Sequence, residues 1–245
     1  MERPPVVARD LRKTFGDVEA LRGLSFEARR GEFLGILGPN GAGKTTALHL
    51  LLGVLEPTSG EAFVLGLSPW KDKYSVYPRI NFSSAYVQLP FNLTVERNLR
   101  VFGELYGLAD ARERIREQME LFDLTRLAKS PTGALSSGEQ TRLNLCKSLL
   151  NDPEVLFLDE PTASLDPDMA DQVRTILKRV QGLKGTTILY TSHNMAEVEA
   201  LCDRVVFIHE GRAVVDGTPR ELREHFGKDS LERVFLHLSR GGKAP

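Results

Sequence analysis

The sequence predicts an α/β protein: a mostly parallel sheet with flanking helices, an antiparallel β portion, and an α-helical subdomain inserted into the core. Three observations lead there. A glycine-rich stretch, Gly38 to Thr46, separates an apolar run, Phe33-Leu34-Gly35-Ile36-Leu37, from a helical one, Ala47 to Leu52. Far downstream, Val155-Leu156-Phe157-Leu158 is apolar throughout, as a strand buried on both faces is. Between the two, apolar residues recur at helical spacing. The expected division is about 1–80 and 151–238 for the core, about 81–150 for the helical subdomain, and a frayed polar tail over 239–245.

Taken in order, Val6 to Leu11 reads as a strand, Phe15-Gly16-Asp17 as a turn, and Ala20 to Ala28 as a second strand. Arg30-Gly31 turns the chain into Phe33–Leu37, and the helix after the glycine loop ends near Gly53. Thr58-Ser59-Gly60 is a turn before a short strand, Glu61 to Leu65. Trp70 to Pro90, without period, reads as irregular. From Thr94 to Leu108 apolar residues at 95, 99, 102, 105 and 106 mark a helix. Asp110 with Glu113 is a capping box for the next helix, which carries Ile115, Met119 and Phe122 on one face. Ser136 with Glu139 is another, opening a helix through Leu143, Cys146, Leu149 and Leu150. Met169, Val173, Ile176, Leu177 and Val180 mark a further helix, and Thr187 to Tyr190 a strand. Val205 to Val215 is a hairpin turning at Glu210-Gly211, and a weak helix follows Pro219.

The chain has 245 residues, 41% hydrophobic and 27% charged, enough for one large α/β domain with a sizeable core. Its formal net charge of -1 leaves no basic footprint for nucleic acid. Cys146 and Cys202 lie far apart in apolar helical patterns, without metal spacing, and read as reduced core thiols of a cytosolic protein. The opening MERPPVVARD has no apolar signal region, and no run approaches the ~18 apolar residues of a membrane span. Any membrane role would come through a partner.

The glycine-rich stretch fits G-x-x-x-x-G-K-[ST], with Gly38, Gly43, Lys44 and Thr45 in the fixed places and Pro39, Asn40, Gly41 and Ala42 between them. Between strand and helix, such a loop turns successive N–H groups inward as a nest for anionic oxygens, backed by the helix N-terminus. Lys44 would reach the terminal phosphates and the Thr45 hydroxyl would ligate Mg²⁺, next to Thr46. Asp159 and Glu160 end the apolar strand, where open α/β sheets bind ligands. Asp159 suits Mg²⁺, and a carboxylate near the terminal phosphate can polarise the attacking water. His193 follows the next strand, at the same sheet edge. With no internal repeat, one nucleotide site per chain is expected.

The order GPNGAGKT (38–45), LSSGEQ (135–140), VLFLDE (155–160), SLD (164–166) and His193 resembles the ATP-binding subunit of an ABC transporter, over nearly the whole chain. The resemblance implies a phosphate-loop NTPase core that binds ATP and Mg²⁺ and hydrolyses ATP, and a head-to-tail homodimer. Each ATP would then lie between one subunit's phosphate loop and the signature residues Ser136, Ser137, Gly138, Glu139 and Gln140 of the other. Ser136 and the helix start make a second anion site; as local sequence, LSSGEQ is equally a helix cap. By the same resemblance Glu160 is the catalytic carboxylate, His193 the switch histidine, and Ser164-Leu165-Asp166 a loop crossing the dimer interface. Phe15 stands where the family stacks an aromatic on adenine, and could otherwise be core. The family's metal-sensing glutamine falls, by register with Leu93-Thr94-Val95, on Ala85, with Gln88 the nearest glutamine.

The ending Asp229 to Phe235 resembles ATPases of the ABC-2 type, which mostly serve exporters through a separate transmembrane permease subunit. That implies a peripheral subunit at the cytoplasmic face of a bacterial-type membrane, with no nucleic-acid partner. Phe82, Tyr86, Leu89 and Phe91 could line the groove for the permease's coupling helix, or form subdomain core. A soluble relative acting on DNA or ribosomes would carry a coiled-coil insertion or tandem cassettes. A phosphate-loop kinase or GTPase would not account for LSSGEQ with Glu160 and His193.

Overall fold

The computed structural model describes residues 3–84, 87–163 and 165–240. The chain begins with β1 (Val6–Phe15) and β2 (Val18–Ala28) and passes through Gly31 into β3 (Phe33–Leu37). α1 (Lys44–Leu51) follows the glycine loop, and β4 (Ser59–Val64) pairs with β1. Then come α2 (Lys73–Val76), β5 (Ile80–Ser84), α3 (Val95–Leu105), α4 (Ala111–Leu121) and α5 (Ser137–Ser148). They are followed by β6 (Val155–Asp159), α6 (Pro167–Lys184), β7 (Thr187–Thr191), α7 (Met195–Leu201), β8 (Arg204–His209), β9 (Arg212–Gly217), α8 (Pro219–Phe226) and α9 (Leu231–Ser239).

Two sheets result. One is three-stranded and antiparallel, in the order β2-β1-β4. The other has six strands, β5-β6-β7-β3-β8-β9, parallel except for the β8–β9 hairpin. Strand alternation divides the core between the faces of the larger sheet. Phe33 and Leu37 join Leu156, Leu158, Ile188 and Tyr190 in a cluster covered by residues of α3 through α9. Leu34 and Ile36 join Phe157 and Leu189 against α1 and the antiparallel sheet. All of β3 is buried, and each such side chain contributes about 1.5–3 kcal/mol by leaving water. Gly35 lets α7 settle on β3, since a Cβ there would lie 2.9 Å from the Cys202 sulfur. Cys202 and Cys146 are both buried, and burial pushes both thiols up, as expected of inert core residues.

Three local expectations are corrected. Trp70 to Pro90 is not irregular throughout: it holds α2 and the edge strand β5, paired in parallel from Ile80↔Val155 to Ser84↔Asp159. The strand is polar because its partners are polar. Asn81 donates to Asn151 Oδ1 at 2.8 Å, and Asn151 in turn donates to the carbonyls of Pro78 and Ile80. The buried Lys147 of α5 donates to the Phe82 carbonyl at 3.1 Å and lies 5.4 Å above the Phe102 ring; burial pushes its ammonium down to about 8. The segment after Pro219 is also not a weak helix. α8 has a full Thr218–Glu221 capping box, and α9 buries Leu231, Val234 and Leu238 in the main core. Ser239 ends α9, and 241–245 lie outside the described residues. Asp110 does precede α4, but at φ −107°, ψ 29° its side chain accepts no capping bond, so the Asp110–Glu113 box does not form. α7, capped by Asn194, is the helix behind the apolar pattern read around Cys202; with only seven residues it shows too little period for its bounds to be read from sequence.

Candidate nucleotide-binding and hydrolysis site

The glycine loop is shaped by close backbone contacts. Gly38 has φ 154°, and a Cβ there would lie 2.2 Å from the Ile208 carbonyl. Gly43, at φ 104°, opens α1 where a Cβ would meet Leu21 and the Ala20 carbonyl. Ala42 is buried and its carbonyl accepts from Gly211 N, so the β8–β9 turn braces the loop. Pro39 accepts from Ala42 N at 3.1 Å, while Asn40 and Gly41 stay exposed at the tip. Lys44, first residue of α1, folds over the loop and donates to the carbonyls of Gly38 (2.7 Å) and Pro39 (3.1 Å). Burial holds its amine below the usual lysine range, opposed by the charges of Glu160 and Asp159.

The acidic side of the site comes from the ends of β6 and β7. Asp159 Oδ1 accepts a 2.6 Å bond from the Thr191 hydroxyl, and its Oδ2 lies 3.4 Å from Thr45 Oγ1. Thr191 also fixes the next residue, because Glu160 N donates to its carbonyl at 3.1 Å and to its Oγ1 at 3.0 Å. Glu160 takes φ 48°, rare for a side-chain residue and costing on the order of 1 kcal/mol. That turn sends its carboxylate away from Asp159 and towards His193, whose Nδ1 is 3.1 Å from Oε2. Thr191 was missed by sequence reading; its only local signal is a hydroxyl at the end of an apolar strand.

Phe15, Ala20, Asn40, Gly41, Gly43, Lys44, Thr45, Thr46, Asp159, Glu160 and His193 line one cavity of 780 Å³. Phe15 is 47% exposed, with the Lys13 ammonium 5.0 Å above its ring, which rules out the core alternative. The donors also suit a hard cation: Thr45 and Asp159 offer oxygen ligands beside a phosphate nest, and Mg²⁺ commonly keeps water in its remaining places.

The family profile for "ABC transporter" matches residues 21–163. The chain belongs to the ABC transporter family. It carries that family's ATP-binding domain, which hydrolyses ATP to power transport. The probable multidrug ABC transporter ATP-binding protein YbhF of Escherichia coli K12 is 37% identical over 95% of this chain, which spans 41% of that protein's length. The Nod factor export ATP-binding protein I of Ralstonia nicotianae is 40% identical over 94% of this chain and 72% of its own length. A solved ATP-binding subunit of an ABC transporter superposes with a TM-score of 0.87 over 96% of this chain and 99% of its own, at 27% identity.

The family's other motifs lie outside the cavity. Ser136 and Glu139 cap α5 reciprocally, with Ser136 Oγ accepting from Glu139 N at 3.3 Å and Glu139 Oε2 accepting from Ser136 N at 2.8 Å. Gln140 donates to the Leu135 carbonyl, and Ser136 and Ser137 are exposed. Gly138 sits against Leu165 and Met169 of the same chain. Asp166 caps α6 by accepting from Met169 N at 2.9 Å; Ser164 lies outside the described residues, as do Ala85 and Tyr86. Of the groove candidates, Leu89 is buried core, Phe82 packs half-buried against the cluster around α1, and Phe91 is exposed. Gln88 is exposed and does not line the cavity. Its neighbour Val87 is tied down by Asn144 Nδ2 at 2.8 Å. Gln88→Ala is therefore expected to lower ATP turnover by less than about tenfold. A steady-state loss as deep as that from Glu160→Gln would put Gln88 on the metal.

Proposed function

We propose that the chain is the ATP-binding and ATP-hydrolysing subunit of an ABC-2 type exporter. In this reading it closes as a head-to-tail homodimer and drives a separate transmembrane permease at the cytoplasmic face of the membrane. The carrying observation is that Lys44, Thr45, Asp159, Glu160 and His193 line one cavity at the carboxyl ends of three adjacent strands, β3, β6 and β7. The loop N–H groups and Lys44 bind the ATP phosphates, and Phe15 stacks on the base. Thr45 and Asp159 would hold Mg²⁺, which would supply positive charge beside the phosphate oxygens. Glu160 takes the proton of the attacking water, and His193, steadied by Glu160, stands beside the terminal phosphate.

Ser136, Ser137 and Gly138 open α5 outside this cavity, ready to meet the ATP of a second copy, with Ser164-Leu165-Asp166 crossing between the subunits. Residues 1–80 and 151–238 act as the core and α3, α4 and α5 as the helical subdomain, where Phe91 offers exposed apolar surface to the permease. No helix among the described residues is long and apolar enough to cross a membrane. A relative's name specifies Nod factor export, which supports the exporter class. The net charge of -1 argues against a nucleic-acid partner. The test is the mass of Glu160→Gln by light scattering, with and without Mg-ATP. A dimer appearing only with Mg-ATP is expected; a monomer at high protein concentration, also after addition of the copurified permease, would refute the shared site.

A further inference from the structure

Behind the site lies a carboxylate that no step above uses. Glu197, on α7, is 3% exposed. Its Oε2 accepts from three hydroxyls: Thr162 at 2.8 Å, Tyr190 at 2.9 Å and Ser192 at 3.2 Å. Its Oε1 accepts from Arg174 of α6 at 3.4 Å. A buried carboxylate loses its hydration, and an apolar side chain would fill the same space without that cost. What distinguishes this network is where its donors lie. Thr162 stands two residues after Glu160, whose carbonyl accepts from Ala163 N at 3.2 Å. Ser192 immediately precedes His193, and its Oγ also accepts from Asn194 N at 3.0 Å. Tyr190 adjoins Thr191, which fixes Asp159 and the Glu160 backbone.

We infer that Glu197 is a positioning residue for hydrolysis, holding the Glu160–His193 pair together by clamping the two backbone segments that carry it. The inference rests on the assignment of hydrolysis to Glu160 and His193. The β6–β7 pairing and the bonds from Glu160 N to Thr191 join the two segments only up to those residues; beyond them Glu160 sits in a strained turn and the His193 side chain is mostly exposed. One oxygen that accepts from both segments fixes their spacing, and its negative charge makes those hydrogen bonds stronger than a neutral acceptor would. Arg174 extends the clamp to α6, which begins just after the SLD loop, and Leu165 N donates to the Thr162 carbonyl at 3.0 Å. The expected signature is loss of turnover with nucleotide binding kept, because none of the side chains that bond Glu197 belongs to the phosphate loop.

Glu197→Gln keeps the shape, but it weakens the acceptor and points an amide N–H at Arg174. In the full-length chain its kcat is expected to fall about tenfold or more, with the KM for ATP within about twofold. Thr162→Val removes one donor with little change of volume, and a smaller fall of the same kind is expected. The decisive arm is His193→Ala combined with Glu197→Gln. If Glu197 acts through the pair, the second change should alter kcat by less than about twofold once the histidine is gone. Full, additive losses in that background, or native kcat in both Glu197→Gln and Thr162→Val, would overturn the inference while leaving the hydrolysis assignment intact. Should Glu197→Gln fail to fold, Thr162→Val alone decides by the same split between kcat and KM. Native turnover in Glu160→Gln or His193→Ala would instead remove the assignment, and the inference with it.

Discussion

Glu160→Gln is expected to lower ATP turnover by about 10²–10⁴-fold, the range for loss of a general base. The substitution isolates the chemistry well. Glutamine meets the same φ of 48°, so the backbone strain is common to both proteins. Its carbonyl can still meet His193 Nδ1, and the Glu160 N–H remains pinned to Thr191. What goes is an anionic oxygen able to take a proton. Mg-ATP affinity should therefore stay within a few-fold of native, since Lys44 and the loop N–H groups are untouched. Steady-state phosphate release alongside titration with a fluorescent ATP analogue measures both. Turnover within tenfold of native would mean that another group activates the water.

Lys44→Ala should produce the opposite division, failing at binding before chemistry is reached. Of the residues lining the cavity it is the one lysine, and no arginine joins it. Its Nζ lies within 3.1 Å of two loop carbonyls, so it already sits where the phosphates would be cradled. A hydrogen bond to a charged group contributes about 1.5–3 kcal/mol, and the terminal phosphates would receive more than one, so ATP affinity should fall by about a hundredfold or more. Calorimetric titration with Mg-ATP reads this directly. Affinity close to native would show that the loop N–H groups suffice and that Lys44 serves mainly to brace Gly38 and Pro39.

The parts legible in the sequence are those whose physics is local. The nest, β3 and β6 were visible because a glycine pattern and unbroken apolar runs each dictate one structure, and Ser136 with Glu139 forms the box its spacing announces. β5 was not visible: Asn81, Ser83 and Ser84 are acceptable in a buried strand only because Asn151 and α5 cover them. The helix after Pro219 read as weak because the core contacts of α9, Leu231, Val234 and Leu238, find partners only after β8 and α7 are in place. In the site, Lys44, Thr45 and Asp159 could be read from motif and strand end. Thr191 and Glu197 could not, since a hydroxyl or a carboxylate in a helix acquires its role only from residues brought beside it by the sheet order. Asp110 shows the reverse case, a local signal that the backbone does not use.

The position of β3 also has a bearing on how the protein is made. The strand that carries the phosphate loop emerges early in synthesis, yet both its neighbours come late: Phe33 pairs with Ile188 and Leu37 with Phe207. At ordinary ribosome speeds the roughly 150 intervening residues take on the order of 8–30 s to appear. During that interval an apolar strand has two open edges and no partner in its own sheet, the condition that invites chaperones or aggregation. The nucleotide site thus cannot exist until the C-terminal third has left the ribosome, so ATP can stabilise the finished fold but cannot guide the nascent chain towards it.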